Sequence, residues 1–335
     1  MEHISNMTEE QKARYAELIE QITQREIDNW RPGDTIRTRT VAQTITMEVI
    51  IRAVFGITDA DRVAELKDVL PRLSAINPVL AFEAVRRDLG RRSPWGRFVR
   101  DRTRVDEMLY EEIQGRRNES DLDTHTDILT LLLSARDEDG KPLTDRELRD
   151  ELITLLLAGH ETTATSIGWA FERLLRSPRA LERLTAEAKK GHSVDYVDAV
   201  IKETLRVRPV VSEVFRAPTK PTELGGFLFA PRMQLAASIL LVQYDPELYP
   251  PDPYAFRPER FLEGAPESYT WIPFGGGVRR CLGAAFAQLE MKTVIPAILA
   301  RTRLRAPRAE SEKARFRGVT LLPSRGGEAI VETVD

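Results

Sequence analysis

A helical pattern of more than 30 residues in the middle of the chain constrains the fold more than any other sequence feature. It starts at Thr144, where a capping box with Glu147 is predicted, and runs to Arg176, with Pro178 just beyond. Helices of globular proteins usually have about 8 to 20 residues, so this one must cross a whole domain. Further helices are predicted over residues 8–30 (with a Thr8/Gln11 capping box), 41–57, 59–70 and 94–116.

The pattern changes after residue 208. Short apolar runs at 226–229, 234–242 and in the tail (315–334) alternate with proline and glycine and predict strands. A proline-rich stretch follows at 249–267, and a helix is predicted over 281–302. We therefore expect one mainly α domain over 1–335 with a minor β part: 1–208 mainly helical, and 209–335 with strands, a proline-rich meander, a cysteine loop and a last helix.

Composition excludes several classes of protein. Hydrophobic residues make up 42% of the 335 residues and charged residues 30%, which is typical of a globular chain with a buried core. The net charge of -3 gives no general attraction to nucleic acid. No apolar run is long enough for a membrane span, and the first ten residues do not resemble a signal peptide. We expect a cytoplasmic protein.

The lone cysteine, Cys281, ends a glycine-rich loop. Three consecutive glycines, Gly275 to Gly277, allow positive φ angles and the close approach of a partner. The next helix is predicted to start at about Cys281, which favours a thiolate, and Arg279 and Arg280 add positive charge. Such a thiolate can be a nucleophile, a redox switch or a metal ligand.

The surrounding residues narrow these choices. A phosphatase loop needs arginine six residues after the cysteine, but Ala287 stands there. A papain-like thiol or a phosphate-binding loop would need motifs that are absent. A ligand to the iron of haem remains, with nearby arginines pairing with the propionates. The alternative is an ordinary buried cysteine after a glycine turn.

Residues 274–283 resemble the cysteine loop of the cytochrome P450 family of haem-thiolate monooxygenases, which has the pattern Phe-Gly-x-Gly-x-Arg-x-Cys-x-Gly. Its fixed positions are met by Phe274, Gly275, Gly277, Arg279, Cys281 and Gly283. The resemblance implies haem b with Cys281 as the axial iron ligand, Arg279 on a propionate and Phe274 beside the sulfur. It also places Gly275 and Gly283 at the cofactor.

Two arginine motifs appear in the order that the family has them. Glu203 and Arg206 lie three residues apart on one helix face, and Pro258-Glu259-Arg260 follows downstream. Without the resemblance, the first pair would be interpreted as a surface ion pair. The resemblance implies that Glu203, Arg206 and Arg260 form a buried, structural charge network under the cysteine loop.

The long helix carries the sequence Ala158-Gly-His-Glu-Thr-Thr163. Glycine inside a helix costs about 0.5–1 kcal/mol relative to alanine, which a cofactor pressed against Gly159 would explain. In the family this motif lies over the distal haem face, which implies an acid role for Glu161 and an alcohol role for Thr162. The alternative is a solvated glutamate on a threonine-bent helix. A zincin motif would need histidine at 164, which is Ala164.

The remaining expectations concern ligands and partners. Arg216 follows Glu203 at the distance of a propionate-binding arginine in the family. An apolar substrate is expected, with the candidate pocket residues Leu73, Ile76, Val79, Phe82, Val211, Val214 and Leu321. No flavin or nicotinamide fingerprint is present, so the electrons would come from a separate ferredoxin or flavodoxin-type donor.

The resemblance covers essentially the whole chain and indicates a soluble, bacterial-type P450 that lacks the usual N-terminal portion. The leading prediction is a monooxygenase that inserts one atom of O2 into an apolar small molecule. The main alternative is a haem-binding fragment or pseudoenzyme that keeps the cysteine loop without oxygenase activity. A third interpretation is a helical scaffold without a cofactor.

Overall fold

The computed structural model describes residues 7–74, 90, 93–119, 127–136, 139–191, 194–264 and 269–335, and most of them are helical. The described helices are α1 (Glu9–Ile27), α2 (Thr38–Val49), α3 (Ala60–Ser74), α4 (Pro94–Asn118), α5 (Ile128–Ser134), α6 (Asp145–Leu174), α7 (Pro178–Lys189), α8 (Val194–Val207), α9 (Ile239–Gln243), α10 (Arg260–Glu263) and α11 (Ala284–Arg301). Among the described residues, no helix is both long and apolar enough to cross a membrane.

Small antiparallel sheets form the β part. The described strands are β1 (Thr35–Arg37), β2 (Glu213–Arg216), β3 (Thr222–Leu224), β4 (Phe227–Phe229), β5 (Leu235–Ser238), β6 (Thr302–Arg305), β7 (Ala314–Arg317), β8 (Thr320–Pro323) and β9 (Glu328–Val334). Strand β9 lies between β1 and β6, while β2 pairs with β5, β3 with β4 and β7 with β8. The expected fold class, mainly α with a minor β part, is confirmed.

Both predicted capping boxes are formed. At the start of α1, the Thr8 amide donates to Gln11 Oε1 at 2.9 Å and the Gln11 amide donates to Thr8 Oγ1 at 3.2 Å. At the start of α6, the Thr144 amide donates to Glu147 Oε2 at 2.8 Å and the Glu147 amide donates back to Thr144 Oγ1 at 3.3 Å. These reciprocal bonds satisfy amides that a helix leaves free at its start. Helix α6 then continues for 30 residues.

The chain divides into two compact units, one made of residues 1–22 and 43–161 and the other of residues 23–42 and 162–335. The single domain expected from the sequence stays a prediction. A continuous apolar core fills the first unit, with fully buried side chains such as Ile51, Phe55, Leu66, Leu109 and Leu152.

The second unit is built around α11, which contacts α7 and α8. Leu205, Val294 and Ile298 are buried there. The indole N–H of the buried Trp169 donates to the Leu321 carbonyl at 2.9 Å, which links the C-terminal part of α6 to β8.

Two segments differ from the sequence predictions. The helix expected over 41–57 begins earlier, at Thr38, and continues beyond α2 as a π-helix, Ile50–Val54. The strand expected over 234–242 stops at Ser238, whose hydroxyl accepts from the Leu241 amide at 3.2 Å and starts α9. The cap that Ser238 provides therefore has a larger effect here than the β propensity of the apolar run. The pocket candidates Ile76, Val79 and Phe82 lie outside the described residues.

Candidate functional site

The cysteine loop is closed by its own backbone. The Gly275 amide donates to the Ile272 carbonyl at 2.9 Å, and the Cys281 amide donates to the Phe274 carbonyl at 2.9 Å. Gly275 and Gly277 have φ angles of +71° and +66°, in the left-handed region that side chains other than glycine rarely adopt. A short 3₁₀ turn, Gly277–Arg279, completes the loop. The glycines are therefore required by the backbone path.

Cys281 is exposed, which excludes the ordinary buried cysteine. The prediction that the next helix starts at about Cys281 is wrong, because α11 begins at Ala284 with Gly283 at the N-cap position. Two non-helical residues, Leu282 and Gly283, separate the thiol from the helix. A Cβ added to Gly283 would lie 4.0 Å from Cys281 Sγ, an ordinary contact distance, so Gly283 lies directly beside the sulfur.

The surroundings of the thiol fit a haem group. A Cβ on Gly275 or Gly277 would meet no atom within 4 Å, so there is open space along this side of the loop. Arg279 is exposed, and the described residues provide it with no ion-pair or side-chain hydrogen-bond partner. The iron of a haem group can be bound by a cysteine sulfur, and its propionates can be bound by a guanidinium that has no other acidic partner. Cys281 and Arg279 provide these two groups.

Phe274 is held at the start of the loop by aromatic contacts. Its ring lies edge-on to Trp271, with 6.0 Å between the ring centroids, and the Trp271 indole donates to the Lys202 carbonyl at 3.0 Å. The start of the loop is thus attached to α8. The contact of Phe274 with the sulfur that the resemblance implies stays a prediction.

Glu203, Arg206 and Arg260 come together as expected. The Arg206 guanidinium donates to both carboxylate oxygens of Glu203, Nε to Oε2 at 2.7 Å and Nη2 to Oε1 at 2.8 Å. Arg260 Nε reaches Glu203 Oε1 at 3.2 Å. The Glu203 and Arg206 side chains are 0% exposed and that of Arg260 is 8% exposed.

This network also holds the proline-rich meander. Arg206 Nη1 donates to the carbonyls of Gln243 and Pro253, both at 2.7 Å, and Nη2 donates to that of Ala255 at 3.0 Å. With the two bonds to Glu203, all five N–H groups of this arginine have acceptors. The Tyr249 ring lies 4.6 Å from the Arg206 guanidinium carbon, in a cation–π contact. Arg260 adds bonds to the carbonyls of Pro250 and Asp252 at 3.3 and 3.2 Å, so a stretch without a backbone ladder is held by side-chain donors.

The motif on α6 lies on regular helix. A Cβ on Gly159 would lie 3.4 Å from Ile50 Cδ1, so a packed side chain is one described reason for a small residue there. Thr46 Oγ1 donates to the His160 carbonyl at 3.1 Å, and Ser166 Oγ donates to the Thr162 carbonyl at 3.0 Å. Glu161 and Thr162 are partly buried. Their proposed roles in proton handling stay predictions.

Arg216 lies on β2 opposite Leu235 of β5. It is exposed, and its Nη1 donates to the carbonyl of the preceding residue, Phe215, at 2.8 Å. The remaining donors of the guanidinium are therefore available for a propionate. The contact with a propionate itself stays a prediction.

A cleft of about 740 Å³ between α3 and α4 does not have the apolar walls expected for the substrate. Charged residues such as Glu65, Arg72, Asp101 and Arg104 line it. Arg104 Nη2 donates to Glu65 Oε2 at 2.9 Å, and Arg72 Nε donates to Asp101 Oδ2 at 3.2 Å. We do not assign this cleft to the substrate.

The sequence analysis missed Glu290, a buried acid in the middle of α11. It is 2% exposed, and burial raises its pKa to about 8. A signal was present, since Glu290 is the only acid in a largely apolar helix.

Comparisons with known proteins address the family of the chain. The sequence profile of the family described as "Cytochrome P450" matches residues 3–330. "Putative cytochrome P450 135B1" of Mycobacterium tuberculosis (strain ATCC 25618 / H37Rv) is 41% identical over 319 residues, which are 94% of this chain and 67% of that protein. "Putative cytochrome P450 138" of Mycobacterium bovis is 36% identical over 319 residues, 95% of this chain and 72% of that protein. The chain thus spans about two thirds of the length of these relatives.

Solved structures show the same fold. The structure of the retinoic acid bound cyanobacterial CYP120A1 matches with a TM-score of 0.81 and 24% identity, and the match covers 98% of this chain and 76% of that chain. The structure of the cytochrome P450DA haem domain matches with a TM-score of 0.81 and 22% identity, and the match covers 97% of this chain and 75% of that chain. With the family profile and the relatives, these matches show that the chain belongs to the cytochrome P450 family, whose members bind haem b through a cysteine thiolate and are monooxygenases.

Proposed function

We propose that this chain inserts one oxygen atom of O2 into an apolar small molecule, with electrons from a separate protein. The observation that carries the proposal is the cysteine loop. It presents an exposed Cys281 thiol beside open space and an uncompensated Arg279. Haem bound through a thiolate supplies the activation of O2.

The chain's own groups would hold and orient this cofactor. Cys281 Sγ would bind the iron, while Gly275 and Gly283 leave room beside it. The guanidinium groups of Arg279 and Arg216 would donate charge-assisted hydrogen bonds to the two propionates. Phe274, held by Trp271, would exclude water from one side of the sulfur.

The α6 motif would manage protons. The Glu161 carboxyl would act as the acid that supplies a proton, and the Thr162 hydroxyl would act as the alcohol that holds a hydrogen bond. Successive residues of a helix do not face each other, so the two groups would act separately. Gly159, one turn earlier, would let the cofactor approach the helix.

The electron donor that we propose is an acidic ferredoxin or flavodoxin. Arg279 and Arg280 are exposed at the tip of the cysteine loop, which places positive charge at the thiolate side. Opposite charge on the donor would accelerate its encounter with this surface, and salt would slow it.

The first test is the carbon-monoxide difference spectrum of the reduced, haem-loaded protein, beside Cys281→Ala and Cys281→His. We expect a strongly red-shifted Soret band that disappears in Cys281→Ala and takes the histidine position in Cys281→His. The same spectrum in all three proteins would exclude thiolate ligation.

The second test separates an oxygenase from a haem-binding pseudoenzyme. Thr162→Ala and Glu161→Gln should lower peroxide-supported turnover of apolar substrates at least tenfold, while the exposed Thr154→Ala and Glu151→Gln on the same helix should not. A thiolate spectrum without turnover of any substrate would support the pseudoenzyme.

A further inference from the structure

Thr46 lies on α2, and its side-chain hydroxyl donates to a carbonyl of a different helix. Its Oγ1 donates to the His160 carbonyl of α6 at 3.1 Å. The hydroxyl of a helical threonine can instead bond the carbonyl four residues earlier in its own helix, as Thr154 does with Asp150 at 2.8 Å. The Thr46 hydroxyl therefore serves the contact between two helices.

This contact is buried, and an apolar pair lies next to the hydrogen bond. Thr46 is 0% exposed and His160 is 4% exposed. Ile50 follows Thr46 by four residues and so lies on the same helix face, and a Cβ on Gly159 would be 3.4 Å from Ile50 Cδ1. A hydrogen bond that is shielded from solvent is stronger than one in water. Two successive turns thus hold two successive residues of α6.

The backbone of the holding element is unusual at the same place. The chain leaves α2 as the π-helix Ile50–Val54, and the Phe55 amide donates to the Ile50 carbonyl, five residues earlier, at 3.2 Å. Single π-turns are rare and frequently occur at functional sites. This turn starts at the residue that packs against Gly159, so regular helix geometry ends where the α6 motif is contacted.

The bonded carbonyl belongs to the peptide group that joins His160 to Glu161. A carbonyl and the amide of the next residue lie in one plane, so a bond that holds the carbonyl also fixes the Glu161 amide. In a regular helix the same carbonyl accepts from the amide four residues later, so the Thr46 hydroxyl is a second donor to it. The orientation of this peptide group determines where the Glu161 side chain starts.

We propose that Thr46 is a positioning residue for Glu161: its hydroxyl holds the His160–Glu161 peptide group and thereby the backbone from which the acid extends. The role rests on the proposed monooxygenase function, whereas the hydrogen bond can be tested without turnover. Thr46→Val should leave the two helices packed, because valine has the shape of threonine and the carbonyl keeps its helical donor.

The first experiment follows the His160 carbonyl by NMR. Glutamate follows histidine at one place in the sequence, His160–Glu161, so [1-¹³C]histidine with [¹⁵N]glutamate selects this peptide bond. The sample is the haem-loaded, reduced protein with bound carbon monoxide, which is diamagnetic. The carbonyl resonance should move to lower chemical shift in Thr46→Val, because a donor is lost, and stay near the parent position in Thr46→Ser.

The matched control is Thr154→Val on α6, since the Thr154 hydroxyl is bonded to the Asp150 carbonyl. This variant should leave the His160 resonance at the parent position. A resonance that is the same in Thr46→Val as in the parent would overturn the proposal.

The second experiment is a double-mutant cycle in the peroxide-supported reaction. Thr46→Val should lower kcat about fivefold with little change in KM, which corresponds to about 1 kcal/mol, the usual contribution of one hydrogen bond. Thr46→Ser should restore the parent kcat. Because Thr46 acts through Glu161, Thr46→Val should have little further effect on Glu161→Gln, in which the acid is already removed.

Three results of this cycle would contradict the positioning role. They are an unchanged kcat in Thr46→Val, an equal loss in Thr46→Ser, and a full additional loss when Thr46→Val is combined with Glu161→Gln. The last result would mean that Thr46 affects turnover by a route other than the acid.

The two experiments separate this proposal from the proposed function. If the carbonyl resonance depends on Thr46 and the parent protein has no turnover, the contact is confirmed, and the monooxygenase function fails together with the role derived from it. If Glu161→Gln lowers turnover and the resonance does not depend on Thr46, the proposed function stands and the role of Thr46 is wrong.

Discussion

The two arginine sites of the second unit differ in what their guanidinium groups contact. Arg206 is fully buried, and its five donors are satisfied by Glu203 and by backbone carbonyls. Arg279 is exposed and contacts no described acid. A buried network in which every donor has an acceptor stabilises the fold, whereas an exposed guanidinium without an acidic partner is available for a ligand.

The backbone shows the same contrast. The meander around Pro253 and Ala255 is fixed by donors from Arg206, although it forms no ladder. The cysteine loop is fixed by its own amides and by two left-handed glycines, which leaves its side chains turned outward. We expect mutations in the two regions to separate stability from cofactor binding.

The largest effect is expected from Arg206→Leu. Removing one partner of a buried pair leaves Glu203 charged and three carbonyls without donors, which should lower the free energy of unfolding by about 3–5 kcal/mol. Urea unfolding measures this. The matched control is Arg146→Leu, whose side chain is 83% exposed in a surface pair and should change stability by less than about 0.5 kcal/mol. Similar losses in both would contradict the comparison.

The next effect concerns the exposed arginines. Arg279→Leu should weaken haem retention about 10- to 150-fold, because a charge-assisted hydrogen bond contributes about 1.5–3 kcal/mol. Arg280→Leu, at the neighbouring exposed position, should retain haem like the parent. Transfer of haem to an excess of apomyoglobin measures both. If Arg280→Leu loses haem faster than Arg279→Leu, the assignment of the propionate partner is wrong.

A smaller effect is expected from the loop backbone. Gly275→Ala meets no atom, so its only cost is the left-handed φ, about 1 kcal/mol. The same change at Gly115, an exposed position inside α4 with no neighbour within 4 Å, should instead stabilise by about 0.5–1 kcal/mol. Opposite signs in thermal unfolding would confirm that strain alone requires glycine in the loop.

The smallest effect comes from a partly exposed ion-pair cluster of Asp198, Lys202 and Lys292. Burial is the largest single effect on Asp198 and raises its pKa, but the hydrogen bonds and charges of Lys202 and Lys292 together outweigh it and keep the pKa below the usual value. Because the folded-state pKa is lowered, this stability is present above pH 4 and is lost as the pH falls through the folded-state pKa. Asp198→Asn should remove about 0.5–1 kcal/mol at pH 7 and flatten the acid limb of unfolding. An unchanged acid limb would contradict the assignment.

Local patterns explain which elements the sequence predicted. Thr8 with Gln11 and Thr144 with Glu147 satisfy helix amides within four residues, so the starts of α1 and α6 could be read directly. The Ser238 cap was equally local but was hidden inside an apolar run. The start of α11 was misplaced by three residues, because the 3₁₀ turn and Gly283 after the glycines give no periodic signal.

Spacing and residue type were enough to identify the family, the cysteine loop and the pairing of Glu203 with Arg206. Only the tertiary structure shows that Cys281 is exposed, that every donor of Arg206 has an acceptor, and that Glu290 is buried. Burial and charge compensation depend on residues far apart in the chain, such as Arg206 and the carbonyl of Ala255. No local pattern encodes them.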